Sequence, residues 1–123
     1  MSTWDHIIFE DEAVQEFFED LDELDYTDLS MALKDAIVDA TKNAEPGQQD
    51  YTVGLGASSL VAIWSGAPYA VADIADRFPF VRGHIGHASQ ELVDAALELL
   101  DGELERLGDD APEGLETYVE ALS

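Results

Sequence analysis

Three histidines are the side chains best suited to ligate a metal or transfer a proton in this sequence, and His84 and His87 are three positions apart. That spacing would place both imidazoles on one face of a helix. Gly83 and Gly86 disfavour a helix there. A zinc site needs three or four ligands, and His6 with a carboxylate would join the pair only through the tertiary fold. We therefore predict no metal site, and we keep the region around His84 and His87 as an alternative position for a small-ligand or hydrolase site.

Four aspartates, Asp20, Asp22, Asp25 and Asp28, are spaced like part of a calcium-binding loop. An EF-hand loop beginning at Asp20 requires glycine at its sixth position and glutamate at its twelfth. The sequence has Asp25 and Met31 at those positions. The pattern therefore does not predict an EF-hand, although weak binding of a divalent cation by these carboxylates stays open.

The serine and glycine patterns of the sequence do not match known motifs for catalysis or cofactor binding. Gly54-x-Gly56 falls short of a dinucleotide fingerprint, because Ser59 stands where the third glycine belongs and no βαβ unit surrounds it. Ser58 and Ser65 lack the neighbours of a nucleophile elbow. Carboxylates are so numerous that no acid–base pair stands out. The sequence assigns no catalytic residue and no cofactor.

Acidic residues outnumber basic ones by 28 to 5, which gives a formal net charge of −23. Nucleic acids and anionic membranes bind proteins through clustered lysine and arginine side chains. The basic residues here are scattered along the chain: Lys34, Lys42, Arg77, Arg82 and Arg106. The composition therefore argues against a nucleic-acid or membrane partner and leaves a basic protein as the partner that the charge favours.

The strongest candidate for a functional surface is a row of carboxylates near the N-terminus. They stand opposite an apolar stripe, and we name five of them the acidic face: Glu12, Glu16, Glu19, Asp20 and Glu23. Such a surface would attract a basic protein by fast, salt-sensitive association, as in a toxin-neutralising or nucleic-acid-mimicking protein. The competing interpretation is a solvated surface that serves solubility or adaptation to salt.

Composition also bounds the class of protein. The 123 residues fit one acidic helical domain over residues 1–123, and 46% hydrophobic residues suffice for one core. The absence of cysteine fits a reducing compartment. No basic segment precedes an apolar one at the start, and the most apolar stretch, Val53 to Trp64, is shorter than the roughly 20 residues of a membrane span. We therefore expect a cytoplasmic, non-enzymatic interaction or regulatory protein.

Apolar residues recur at helical spacing almost everywhere, which predicts an all-α fold. Only Trp4 to Phe9 has the pattern of a short extended arm, and its two end aromatics would dock it on the core. Asp11 is the predicted N-cap of the first helix, which presents an apolar stripe of Val14, Phe17, Phe18 and Leu21. Thr27 is the predicted N-cap of a second helix that ends near Asn43.

The segment from Thr52 to Ser65 is apolar almost all round, which is typical of a helix surrounded by other helices. We place it at the centre of a compact bundle of five to six helices. Gly54 and Gly56 are unfavourable inside a helix, so they indicate either close helix contact or a helix that begins later than Thr52.

The rest of the chain predicts a helix from Tyr69 to Arg77, followed by an irregular stretch over 80–87. The predicted inward residues of this helix are Val71, Ile74, Ala75 and Phe78. A long helix follows from about Ser89 to Leu107, and Gly108 ends it. Asp110 is the predicted N-cap of a short last helix.

An aromatic and acidic pattern stands near the N-terminus: Trp4, Phe9, Glu10 to Ala13, and Phe17 to Leu21. A later segment of small residues, Ala57 to Pro68, ends in Gly-x-Pro. These features resemble the opening signature and the central helix of a bacterial family known as domain of unknown function 4259. The sequence departs from that family at Ser2 and Asp5, where glycine is common. The resemblance spans most of the chain and implies no site residues, because the family has no assigned activity.

Overall fold

The computed structural model of the protein describes residues 3–69 and 76–123. These residues include seven α-helices and no β-strand, so the predicted all-α fold is confirmed and the predicted number of helices was too low. The helices are α1 (Trp4–Phe9), α2 (Glu12–Leu21), α3 (Tyr26–Asn43), α4 (Gln49–Trp64), α5 (Phe80–Gly83), α6 (Gln90–Leu107) and α7 (Leu115–Leu122). A 3₁₀ turn, Gly108–Asp110, follows α6. None of the described helices is both long and apolar enough to cross a membrane.

The centre of the fold is α4, which contacts each of the other six described helices. Side chains around its whole circumference are buried, including Leu55, Leu60 and Val61. The predicted central helix is therefore confirmed, although it begins at Gln49 rather than at Thr52. The first turn of α4 is polar, and its N-cap, Gln48, makes no side-chain hydrogen bond to it. Neither an apolar pattern nor a capping residue therefore indicates this turn in the sequence.

Gly54 and Gly56 mark close helix contacts, which was one of the two predicted explanations. A Cβ atom added to Gly54 would lie 2.2 Å from Cβ of Ala40 in α3. One added to Gly56 would lie 2.7 Å from Cγ1 of Val14 in α2. Any side chain at either position would force α4 away from its neighbours. The alternative of a later helix start is wrong, because both glycines lie inside α4.

The predicted extended arm is also wrong, because Trp4–Phe9 forms the helix α1. Its aromatic and β-branched residues favour a strand when they are considered locally. A helix instead places Trp4, Ile8 and Phe9 together on the core side, where each is buried. A six-residue helix is stabilised by such packing rather than by propensity.

The predicted docking role of the two aromatics of α1 is confirmed. The Trp4 indole Nε1 donates a hydrogen bond to Ser59 Oγ of α4 over 2.9 Å. Phe9 is 1% exposed, and its ring lies 5.9 Å from that of Phe18. The N-terminal segment therefore belongs to the core.

The predicted N-cap is correct for α2 and wrong for α3. Asp11 Oδ1 accepts hydrogen bonds from the first-turn amides of α2, as predicted. The cap of α3 is Asp25 rather than Thr27, and its Oδ1 accepts from the Asp28 amide over 2.9 Å. Both Asp25 and Thr27 suit an N-cap, and the chain begins the helix at the earlier one. The predicted end of α3 at Asn43 is confirmed.

The C-terminal part of the chain follows the prediction more closely. Ser89 caps α6, and Gly108 ends it with a φ of 53°. Asp110 does not cap the last helix, because it lies in the 3₁₀ turn and Gly114 occupies the N-cap of α7. Within the stretch predicted to be irregular, Phe80–Gly83 forms the short helix α5.

Three of the residues predicted to face inward from a helix over 69–77 lie outside the described part of the chain: Val71, Ile74 and Ala75. The fourth, Phe78, is described and is buried, as predicted.

Candidate functional site

The acidic face lies along α2 and just beyond its C-terminal end, and all five of its carboxylate residues are exposed. Glu12 and Glu23 stand at its two ends, with Glu16, Glu19 and Asp20 between them. Intervals of three, four, seven and eight residues place side chains on one side of a helix. On the opposite side, Val14, Phe18 and Leu21 are buried against the core. The core contacts of α2 therefore force these carboxylates into solvent together.

Arg77 is the one basic residue that contacts the acidic face within the described part of the chain. Its guanidinium donates to Glu19 Oε1 over 3.3 Å and to Gln15 Oε1 over 3.1 Å. It also lies 5.1 Å from the ring centroid of Phe78. One exposed guanidinium leaves most of the negative charge of the face uncompensated.

A surface cavity of about 470 Å³ adjoins the N-terminal end of α2. Asp11, Glu12 and Glu16 line one side of it, and Gly47 and Gln49 line the other. Asp11 is already engaged as the helix cap. The cavity thus extends the acidic face into a recess between α2 and the start of α4.

The helix α6 carries a second series of exposed acidic residues: Glu91, Asp94, Glu98, Asp101 and Glu105. Lys34 forms an ion pair with Glu91 in that series. The five positions extend over more helical turns than Glu12 to Glu23, so their charge is less dense. We therefore regard the acidic face as the stronger candidate and the α6 series as its natural control.

His84 and His87 lie beside each other, with ring centroids 6.2 Å apart. Both pack on Tyr26, whose hydroxyl donates to the backbone carbonyl of His87. The His84 ring also meets Trp64 edge-on at 5.4 Å. Burial, and then the neighbouring His87, lower the pKa of His84, which favours the neutral imidazole. These contacts make the two histidines part of an aromatic cluster.

A shallow cavity of about 340 Å³ lies near this cluster, but neither imidazole lines it. Its walls come from Trp64, Ser65 and Ile85, together with neighbouring small residues. The Ser65 hydroxyl donates to the Val61 carbonyl over 3.0 Å and is not directed by a base. The described residues therefore bring together no nucleophile and base at this site, and the geometry gives no support to a hydrolase there.

The four aspartates with calcium-like spacing do not converge. Asp25 Oδ1 accepts from a backbone amide as a helix cap, and Asp20 and Asp22 point into solvent from α2 and its end. In residues 3–69 and 76–123, no group of three or more histidine or acidic side chains is arranged to hold a metal ion.

A third cavity was not indicated by any sequence pattern. It has a volume of about 330 Å³ and is lined by residues from the start of α1, the segment after α4 and the start of α7. Asp5 and Tyr118 are its most buried polar residues. One feature of the sequence could have indicated that Asp5 is buried. In a helical α1, Asp5 follows buried Trp4 and precedes buried Ile8 by three residues, so it lies beside the core.

The comparisons with known proteins agree with the resemblance seen at the N-terminus. The model of the family described as "Domain of unknown function (DUF4259)" matches residues 2–120. No curated protein and no solved structure matches this chain. The departure from the family at Asp5 is compatible with the helical first turn, since Asp5 lies within α1.

Proposed function

This chain belongs to the DUF4259 family, and from its surface we propose that it is a non-enzymatic interaction or regulatory protein. Its acidic face binds a basic protein. The observation that supports the proposal is the set of five exposed carboxylates along one side of α2 and just beyond its end, which a single guanidinium contacts within residues 3–69 and 76–123. The proposed location is the cytoplasm of a bacterium, which the absence of cysteine supports.

The charge density of the acidic face favours a protein partner with several lysine or arginine residues. Within α2 the helical rise of 1.5 Å per residue extends the carboxylates from Glu12 to Asp20 over about 12 Å, and Glu23 lies just beyond the end of the helix. That length suits one basic helix or loop laid along α2. A net charge of −23 would also steer a positively charged partner toward the protein and speed association.

The cavity at the N-terminal end of α2 adds a place for one long basic side chain. Glu12 and Glu16 line it, and Gln49 and Thr52 offer further polar groups on the other wall. A lysine or arginine inserted there would meet the carboxylates of Glu12 and Glu16 together, so two opposite charges would hold it in place of one. Neutralisation of a basic toxin and mimicry of a nucleic acid are two roles that such a surface would serve.

A charge-matched pair of variants tests this proposal. One variant neutralises the acidic face with E12Q, E16Q, E19Q, D20N and E23Q. The control neutralises five exposed carboxylates elsewhere with D94N, E98Q, D101N, E105Q and E116Q. Both variants lose the same formal charge, so a difference between them reports position rather than net charge.

The measurement is capture of partners from cell lysate at low and at moderate salt, followed by mass spectrometry. We expect the wild-type protein and the control variant to retain a basic protein that the acidic-face variant loses, with weaker capture at moderate salt. Recovery of no basic partner at either salt concentration would overturn the proposal. Equal loss in both variants would show that only total charge matters.

A further inference from the structure

Arg77 lies against a set of side chains at the edge of the acidic face that suits a guanidinium. Its Nη1 donates to Gln15 Oε1 over 3.1 Å, and its Nη2 donates to Glu19 Oε1 over 3.3 Å. Its Cζ atom lies 5.1 Å from the centroid of the Phe78 ring. A guanidinium is flat, donates in several directions within its plane and packs on aromatic rings, whereas an ammonium is a compact point charge. We call Gln15, Glu19 and Phe78 together the Arg77 site.

Contacts with the core hold two members of the Arg77 site in place. Gln15 Nε2 donates to the Phe9 carbonyl over 3.1 Å, which turns Gln15 Oε1 toward Arg77. Phe78 is 3% exposed, and its ring meets the buried Phe18 ring edge-on at 5.6 Å. Neither of these contacts involves Arg77. We therefore expect the site to keep its shape when Arg77 leaves it.

Arg77 itself is held weakly. Its side chain is 47% exposed, and that of Glu19 is 60% exposed. Ion pairs with this much exposure contribute little to stability, because water and salt screen both charges. A guanidinium from another molecule can therefore replace Arg77 readily.

We propose that Arg77 is an internal competitor of the basic partner, and that an arginine of the partner replaces it at Gln15, Glu19 and Phe78. The inference rests on the proposed function and adds to it the side chain that is recognised, which is arginine rather than lysine. A partner with several basic residues would pair with Glu16 and Asp20 as well, so it gains more carboxylate contacts than one arginine can make.

Titration of Arg77→Ala with ethylguanidinium chloride tests whether the vacated site recognises a guanidinium. The readout is the NMR shift of the Gln15 side-chain amide and of the Glu19 backbone amide. We expect saturable binding to Arg77→Ala and about 5-fold weaker binding to the wild-type protein, in which Arg77 occupies the site. Ethylammonium chloride, which has the same charge, should bind Arg77→Ala at least about 5-fold more weakly than ethylguanidinium.

Matched variants separate the site from total charge. Arg82 is also exposed, and it donates to Tyr69 Oη, so Arg82→Ala removes the same charge from another place and should bind ethylguanidinium like the wild type. In the Arg77→Ala background, Glu19→Gln should weaken ethylguanidinium binding about 5-fold. Glu105→Gln, an exposed carboxylate of α6, should leave that binding unchanged.

A peptide of alternating glycine and arginine tests the competition, and the same peptide with lysine in place of arginine is its comparator. Isothermal titration calorimetry gives the affinity of each peptide for Arg77→Ala and for Arg82→Ala. We expect the arginine peptide to bind Arg77→Ala about 3–5-fold more tightly than Arg82→Ala. The lysine peptide should show a smaller difference between the two variants, because an ammonium uses the Phe78 ring and the Gln15 amide less well.

The proposal is overturned if ethylguanidinium gives no saturable shifts in Arg77→Ala, or if the arginine peptide binds Arg77→Ala and Arg82→Ala equally. Equal differences for the two peptides would overturn the assignment of arginine. These titrations need no partner from a lysate. If they give the expected results while lysate capture recovers no basic protein, the Arg77 site is supported and the proposed function is overturned. Should Arg77→Ala fail to fold, Arg77→Gln decides both titrations.

Discussion

The Tyr51 hydroxyl donates a hydrogen bond to Glu103 Oε1 over 2.9 Å and thereby joins α4 to α6. Glu103 is 4% exposed, and it also accepts from Arg106 Nε over 2.8 Å and from Arg106 Nη2 over 2.9 Å. A buried carboxylate is tolerated when donors and an opposite charge surround it. Three donors from two residues meet that requirement here.

Replacement of Glu103 should be far more damaging than replacement of its exposed neighbour. Glu103→Ala would leave the Tyr51 hydroxyl without its acceptor inside the α4–α6 contact, and we expect a loss of about 2–3 kcal/mol in the free energy of unfolding. Glu105→Ala, on the solvent side of the same helix, should change it by less than about 0.5 kcal/mol. Urea denaturation of both variants measures the free energy of unfolding. Similar losses of free energy in the two variants would show that the hydrogen bond between Tyr51 and Glu103 does not stabilise the fold.

Loss of the hydroxyl should change the stability of the protein differently at its two most buried described tyrosines, Tyr51 and Tyr118. Tyr51→Phe removes a satisfied hydrogen bond and should destabilise the fold by about 1 kcal/mol. Tyr118→Phe removes a buried hydroxyl that has no partner within the described residues, so stability should be unchanged or higher. Thermal melts of both variants are the measurement. Equal destabilisation by both substitutions would mean that the Tyr118 hydroxyl has a partner in solution.

Stability should fall as the pH rises above 10. Burial, followed by the hydrogen bond to Glu103, raises the pKa of Tyr51 from 10.0 to about 12. Between those values the unfolded chain has lost the phenol proton while the folded protein retains it, so rising pH favours the unfolded state. The melting temperature should therefore decrease from about pH 10 to pH 12, and less steeply in Tyr51→Phe. A flat profile in the wild-type protein would contradict the raised pKa.

Two glycine-to-alanine substitutions should have opposite effects on the free energy of unfolding. In an open helical position, alanine is favoured over glycine by about 1 kcal/mol. Gly102 of α6 has nothing near its added Cβ, so Gly102→Ala should stabilise the protein. Gly54→Ala would place a Cβ 2.2 Å from that of Ala40, and we expect a net loss of about 1–2 kcal/mol. Chemical denaturation checks both, and combining Gly54→Ala with Ala40→Gly should restore part of the loss.

Added salt should stabilise the fold. With a formal net charge of −23, exposed carboxylates repel one another, and salt at physiological ionic strength screens charges beyond about 8 Å. The melting temperature should rise between low and moderate sodium chloride. The rise should be smaller in the variant that neutralises the acidic face. A melting temperature that stays level or falls would mean that the carboxylates are compensated locally.

Local chemistry made several elements predictable. The Asp11 cap, the apolar stripe of α2 and the end of α6 at Gly108 each depend on residues within a turn or two of one another. The acidic face was predictable for the same reason, since the stripe that buries Val14 and Phe18 fixes which side of α2 faces solvent.

Other elements depend on contacts between segments that are distant in the sequence, and local sequence patterns do not predict such contacts. Trp4 to Phe9 has the composition of a strand, but the Ser59 hydroxyl and the surface of α4 make a helix the better-packed form. Asp25 and Thr27 are both competent caps, so their chemistry alone does not choose between them. The third cavity combines residues more than 100 positions apart, such as Asp5 and Tyr118.

Periodicity and composition act through neighbouring residues, so they are enough to predict a helical, acidic protein built around one apolar helix. The packing of the helices explains Gly54 and Gly56, since only the approach of α2 and α3 shows that no side chain fits there. The same packing sets where Asp5, Glu103 and Tyr118 lie. A polar residue's burial and partners are set by packing across the chain rather than by the residues beside it.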